Sequence, residues 1–342
     1  MGAKLDELIK GINKEAKEEI ITTGLSNFKY ERIPFTSPRM NYVTYGGLPV
    51  GKVIEFFGEE HGGKTTTMLD IIANYQNMHP EKEVFLVDAE NTLDVEWATK
   101  IGVDVSTLKI FQPKSQSAEE IFDIICDAVS TGEVGLWGLD SIGALMSEQE
   151  WKKSMDEKTY GGIALPLTKF GKKIEMLNAR YHCTGIAINQ LRDDMNSTWG
   201  GTKTPGGRAW KHLCAVRIQF SRGKFLDEKG NELSRGAENP VGNLVMANQV
   251  KNKTCPPTRH IGQYTINYME GIDYLSDLID VAMLYNIICK TSKNSAWYNI
   301  VDVNTGEILK ESIQGQANVK ALLDEDVELM QHIEEMVNAK MQ

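Results

Sequence analysis

Four short apolar runs recur along the first two thirds of the chain: VIEFFG (53–58), EVFLVDAE (83–90), VGLWGLDS (134–141) and TGIAINQ (184–190). Longer stretches with apolar residues at three- and four-residue intervals separate them, at 65–78, 94–101, 117–130 and 163–181. Apolar runs without alternation are those of strands buried on both faces. Strand, helix, strand, helix in succession predicts an α/β fold, a central mostly parallel twisted sheet flanked by helices. After residue 211 the pattern changes to alternating stretches, AVRIQF, NLVMANQV and YTINY, which predict strands extending the same sheet. The acidic turn LDEKGNE (226–232) would link two of them as a hairpin. Near the N-terminus, LDELIKGINKEAKEEII predicts an amphipathic helix over 4–20, lying outside the main core, whose apolar face needs a partner in its own domain or a neighbouring subunit. From Gly271 onward helical patterns return around the hairpin WYNIVDVNTGEIL, predicting a small C-terminal α/β domain. The last stretch, LLDEDVELMQHIEEMVNAKMQ, predicts one acidic helix, read as a solvated face. The expected partition is an arm at 1–33, a core at 34–270 and a C-terminal domain at 271–342.

Composition narrows the class. With 342 residues, 41% hydrophobic and 25% charged, the chain has enough apolar mass for a sizeable core. No apolar run approaches the roughly 20 residues that span a bilayer, and MGAKLDELIK lacks the apolar stretch of a secretory signal, so a cytoplasmic protein is expected with no membrane partner. The five cysteines, Cys126, Cys183, Cys214, Cys255 and Cys289, form no zinc-binding spacing and are expected as reduced, mostly buried thiols. A net charge of −10 disfavours coating of nucleic acid by overall basicity but leaves room for a local basic groove.

One motif carries specific chemistry. Gly58-Glu59-Glu60-His61-Gly62-Gly63-Lys64-Thr65 fits the phosphate-binding loop GxxxxGK[ST], continues into Thr66, follows an apolar strand and opens a helical pattern. Backbone N–H groups would cradle the phosphates of ATP, Lys64 would reach the β/γ oxygens, and the Thr65 hydroxyl would bind Mg²⁺. Asp140 ends the strand VGLWGLD, where a carboxylate can hold Mg²⁺ through water; a cap for the helical SIGALM that follows is the other reading. Glu90 ends a neighbouring strand, placed for a general base or simply as surface charge. Gln190 ends a third, where an amide could sense the γ-phosphate.

Residues 191–211 hold four glycines, one proline and no apolar periodicity, predicting a long functional loop. Arg192, Lys203, Arg208 and Lys211 could meet phosphates while Met195 and Trp199 stack on bases, a combination that suits single strands; a mobile substrate lid is the other reading.

Together these residues resemble the bacterial RecA family of DNA recombinases and its phage-encoded members. The matching segments run in order from GEEHGGKTT through VDAENTLD, WATKIGVD, LDSIGAL, AINQLR, TPGGRAWK and VKNK to GIDYLSDLIDVA, SAWY and IQGQAN, covering roughly 33–335. The resemblance implies a RecA-like P-loop ATPase that forms helical filaments on single-stranded DNA, pairs it with homologous double-stranded DNA and exchanges strands, with DNA-stimulated hydrolysis. It implies that Glu90 activates the attacking water, Asp140 is the Walker B carboxylate and Gln190 couples the γ-phosphate to the DNA loop. It places Asp94 and Trp97 against the adenine, an indole where tyrosine is usual, and sends Lys251 and Lys253 across a subunit interface to the neighbour's nucleotide. The N-terminal helix and LSNFKYERIPF would dock on the adjacent protomer, a head-to-tail contact that builds a filament. Residues 155–163 correspond to a first DNA loop with Tyr160 as wedge, Lys172 to a basic DNA contact, and Gly206, Gly207, Arg208 and Lys211 to the end of the second loop. Single-strand-binding and loader proteins are further expected partners. Asp193, Asp194, Arg208, Trp210 and His212 depart from the usual pattern and put individual DNA contacts in doubt. A ring-forming helicase-like motor on the same fold, with an arginine in trans, and a small-molecule kinase are the competing functions.

Overall fold

The computed structural model describes residues 3–17, 21, 30–154, 156, 162–193, 201–228, 230–234 and 236–341. Two compact units are present, Met1–Glu31 and Arg32–Gln342.

In the first unit the helix spans Ala3–Ala16, shorter than the expected 4–20. Lys17 takes a left-handed φ of 57° and ends it, and the Asn13 side chain both donates to and accepts from the backbone of Ile21, at 2.9 Å each. Leu5 and Leu8 stand exposed on its surface.

The second unit is built on a ten-stranded sheet. Its order, by residue range, is Gly271–Ile272, Ile261–Asn267, Gly242–Asn252, Val216–Leu226, Val53–Gly58, Thr184–Gln190, Val134–Asp140, Glu83–Asp88 and Lys109–Phe111, with Glu232–Leu233 paired on Val216–Leu226. From Val216–Leu226 to Lys109–Phe111 all neighbours are parallel, and the remaining pairs are antiparallel. The acidic turn forms the expected hairpin, Leu226 opposite Glu232.

Burial explains the sequence pattern. Residues 53–58 and 134–139 are buried without a break because helices cover both faces of these central strands. On one face Ile54, Phe56, Leu69, Ile71 and Phe220 form one core; on the other Ile125, Trp137, Phe170 and Trp210 form a second. The helix Ala118–Ser130 starts at a capping box, Ser117 with Glu120, and turns Ile121, Phe122, Ile125 and Val129 inward. Phe122 stacks on Phe170 of the helix Ala164–Tyr181 with ring centroids 4.4 Å apart. Each such buried side chain contributes about 1.5–3 kcal/mol. Gly185 is required by contact: a Cβ there would lie 2.0 Å from Trp137 Cζ2.

A third core closes the C-terminal part, where the helix Tyr274–Leu284, the sheet of Ile288–Lys290, Trp297–Val301 and Ile308–Gln314, and two final helices meet around Leu278, Ile300, Leu323 and Ile333. The terminal stretch is not one helix. Gln316–Glu325 and Val327–Met341 are separated at Asp326, whose carboxylate accepts from Leu329 N at 3.1 Å and so caps the second.

Candidate functional site

The parallel register sets the chemistry in line. Gly58 pairs with Gln190, and Asp88 with Asp140, so the phosphate loop, two strand-end carboxylates and the amide of Gln190 share one end of the sheet. That end is where open parallel sheets bind ligands.

The loop leaves Val53–Gly58 sharply. A Cβ on Gly58 would fall 1.9 Å from Phe220 O, and His61 and Gly63 take left-handed φ of 55° and 89°. The helix Lys64–Met78 then begins at Gly63, its N-terminus presenting free N–H groups and the positive end of its dipole. Lys64 Nζ donates to Gly58 O at 3.3 Å and Glu59 O at 2.5 Å, and burial lowers its pKa against the pull of Asp140 and Glu90. Glu59, Glu60 and His61 are exposed at the crest of the loop.

Thr65 Oγ1 donates to Asp140 Oδ2 at 2.6 Å. Burial pushes the Asp140 carboxyl up to about 6, the Thr65 hydrogen bond opposing it. The helix-cap alternative for Asp140 is not the contact formed, since its carboxylate turns to Thr65. Two hard oxygens adjacent at a phosphate loop form a set suited to Mg²⁺.

Glu90 is not loose surface charge. Its Oε1 accepts from Gln190 Nε2 at 2.9 Å and from Ser141 Oγ. Arg192 Nη2 donates to Gly143 O at 2.8 Å, which ties the start of the following segment to the turn after Asp140.

A cavity of about 490 Å³ opens beside the loop, lined by His61, Gly62, Gly63, Lys64, Thr65 and Thr66, and by Trp97. Trp97 Nε1 donates to Thr66 Oγ1 at 3.1 Å, holding the indole at this wall. Asp94 caps the helix Val95–Ile101, accepting from Trp97 N at 3.0 Å. The rest of the lining, Arg222, Asn243, Ile266 and Tyr268, carries no motif that the sequence alone singles out. Tyr268 Oη donates to Asn243 Oδ1 at 2.9 Å. These residues carry no local motif, and only the antiparallel extension of the sheet brings them to a loop some 200 residues away. Ser141, beside Asp140, was within reach of the sequence.

The segment expected to be one loop is more ordered where it is described. Arg192–Asp193 pairs antiparallel with Thr202–Lys203, and Gly207–Leu213 is a helix. Arg208 and Lys211 therefore lie on a helix, not a loop, with Gly206 as its N-cap and Arg208 exposed. Trp210 is buried in the core. Lys172 is exposed on the helix Ala164–Tyr181. Tyr160, Met195 and Trp199 lie outside the described residues, as does Asp194. Lys251 Nζ donates to Lys211 O at 2.6 Å and His212 O at 2.8 Å, and Lys253 Nζ to Leu213 O at 3.4 Å, so both lysines cap the end of that helix. Burial and the neighbouring Lys253 lower the pKa of Lys251. Among the described residues no helix is long and apolar enough to cross a membrane.

Comparison with known proteins follows the same lines. The RecA N-terminal domain family matches residues 3–273. Protein RecA of Mesoplasma florum is 34% identical over 290 residues, covering 84% of this chain and 80% of that protein. Protein RecA of Sulfurimonas denitrificans is 34% identical over 298 residues, 86% and 80% of the two chains. Protein RecA of Ureaplasma parvum serovar 3 is 31% identical over 335 residues, 97% and 93%.

Proposed function

The chain belongs to the RecA family and is a recombinase of DNA recombination and repair; from that premise we propose that it is a DNA-stimulated ATPase that assembles head to tail on single-stranded DNA and exchanges strands with homologous duplex. The observation that carries this reading is two sets of side-chain contacts joined at consecutive residues: Thr65 on Asp140, and Ser141 and Gln190 both on Glu90, with Gln190 leading into the segment that follows it.

In this reading the loop amides and Lys64 hold the β- and γ-phosphates of ATP, and Thr65 and Asp140 are the residues that would hold Mg²⁺. The ion, when bound, neutralises charge on the phosphate oxygens. Trp97 and Tyr268 both line the cavity and offer π-faces for the adenine. Glu90 takes a proton from the attacking water, a step in which positioned bases contribute about 10²–10⁴-fold. Gln190 already bonds Glu90, so a γ-phosphate competing for its amide would shift the start of the DNA segment. Arg192, Lys203, Arg208, Lys211 and Lys172 meet the phosphate backbone, and Lys251 and Lys253 reach the neighbour's nucleotide, which makes ATP a subunit glue.

The proposed partition is an oligomerisation arm at 1–33, an ATPase core at 34–270 and a small domain at 271–342. Cytoplasmic placement and cooperation with single-strand-binding and loader proteins belong to the same proposal. The deciding experiment measures ATP turnover with and without single-stranded DNA and images the same mixtures by electron microscopy. Stimulated turnover with helical filaments supports the reading; unstimulated turnover, or closed rings that unwind duplex directionally, overturns it.

A further inference from the structure

A single buried carboxylate joins the phosphate-loop strand to the far end of the DNA segment. Glu55, three residues before Gly58, is fully buried in the strand Val53–Gly58. Its Oε1 accepts from Asn189 Nδ2 at 2.8 Å and from Trp210 Nε1 at 3.0 Å, and its Oε2 from Arg217 Nε at 2.5 Å. Asn189 is itself a junction. Its Oδ1 accepts from Gln190 N at 3.0 Å, and its Nδ2 also donates to Pro205 O at 3.1 Å, so one amide grips the segment where it starts and where it ends. Trp210 sits in the middle of the helix Gly207–Leu213, whose last carbonyls hold Lys251 and Lys253.

The energetics give this helix one seat. A buried carboxylate stripped of a donor costs far more than the donor contributes when present, so any slide of the helix that breaks the Trp210 bond is penalised. A fixed far end matters to switching, because a ligand moves a two-state element only by its differential affinity for the two states. If the exit helix could slide, displacement of Gln190 at the entry would be absorbed there instead of changing the segment between. Trp210 Nε1 is the one group of this helix that reaches Glu55 among the described contacts.

We propose that Glu55 is a positioning residue for nucleotide-gated DNA binding: through Asn189 and Trp210 it fixes the exit end of the DNA segment to the phosphate-loop strand, forming a second arm of the coupling alongside Gln190. The inference rests on the reading that ATP gates single-strand binding. It extends to Lys251 and Lys253, because the same helix carries their acceptors.

The test uses the full chain with Trp210→Phe, which keeps the ring and removes the N–H, and Asn189→Ala as an independent second variant. Fluorescence anisotropy of an oligo(dT) strand is titrated without nucleotide, with ADP and with a non-hydrolysable ATP analogue, and affinity for a fluorescent ADP is measured without DNA. The expected result is a loss of about fivefold or more in the gain of strand affinity that the analogue confers, with ADP affinity within about twofold of the parent, a coupling change of ordinary size for linked sites. A fold support acting on packing alone would lower ADP affinity and melting temperature together with strand affinity, and that outcome overturns the proposal. Parent-like gain in a folded variant overturns the exit arm while leaving nucleotide gating in place. No analogue-dependent gain in the parent itself removes the gating reading, and the inference with it.

Discussion

The Gln190 amide donates to Glu90 Oε1 at 2.9 Å, joining the ends of two strands that are not neighbours in the sheet. Val134–Asp140 lies between them and contributes Ser141, whose hydroxyl reaches the same oxygen. The proposed base is therefore oriented by two donors before any substrate arrives. Glu90→Gln should keep nucleotide affinity near the parent's and slow phosphate release by about 10²–10⁴-fold, leaving persistent filaments. Single-turnover phosphate release checks it; a rate within tenfold of the parent would remove Glu90 from the chemistry.

Lys64 is folded back onto its own loop through Gly58 O and Glu59 O, so truncating it removes a cation without emptying a core site. Lys64→Ala should abolish ATP turnover with an unchanged circular dichroism spectrum and a melting temperature within a few degrees of the parent. Turnover retained at the parent's rate would exclude the loop from catalysis.

Strand binding should be salt-sensitive despite the net charge of −10. The logarithm of affinity falls with log salt at a slope near −0.7 per phosphate contact for single strands. Arg208 is exposed on its helix, so Arg208→Ala should flatten that slope by about 0.7 with affinity reduced evenly across sequences. An unchanged slope would show that Arg208 makes no phosphate contact.

Asp70 gives a pH dependence with a defined sign. Burial raises its pKa from 3.8 to about 6, against the hydrogen bonds from Thr36 and Asn74. The folded state binds the proton more tightly than the unfolded state, so this group's contribution to stability falls as pH climbs from about 4 to 6 and is flat outside that window. Two pK units correspond to about 3 kcal/mol. In denaturant titrations, the stability of Asp70→Asn relative to the parent should rise across that window; a difference constant with pH contradicts the assignment.

Gly185→Ala would force a methyl group into the Trp137 ring at 2.0 Å. Overpacking of this kind costs about 1–3 kcal/mol. Thermal unfolding should show the loss, and turnover per folded molecule should stay near the parent's.

What the sequence made legible was whatever is local. The uninterrupted apolar runs belong to strands covered on both faces, and GEEHGGKT needed only its own strand and helix to be read. The helix Gly207–Leu213 was hidden because glycines occupy its N-cap and first position, Gly206 and Gly207, and because Trp210 anchors it to Glu55, 155 residues earlier. Arg222, Asn243 and Tyr268 became cavity wall only through sheet order. The break at Asp326 came from a single cap in a stretch whose apolar spacing runs on through it.

Because Gly58, Asp140 and Gln190 end strands held in parallel register, the groups proposed for the chemistry occupy one rim and the packed layers lie beneath them. Damage therefore sorts by height. Substitutions a turn below the rim are read as heat sensitivity, those on it as lost turnover in a protein that melts normally, and a single thermal screen separates the two populations before any assay of DNA.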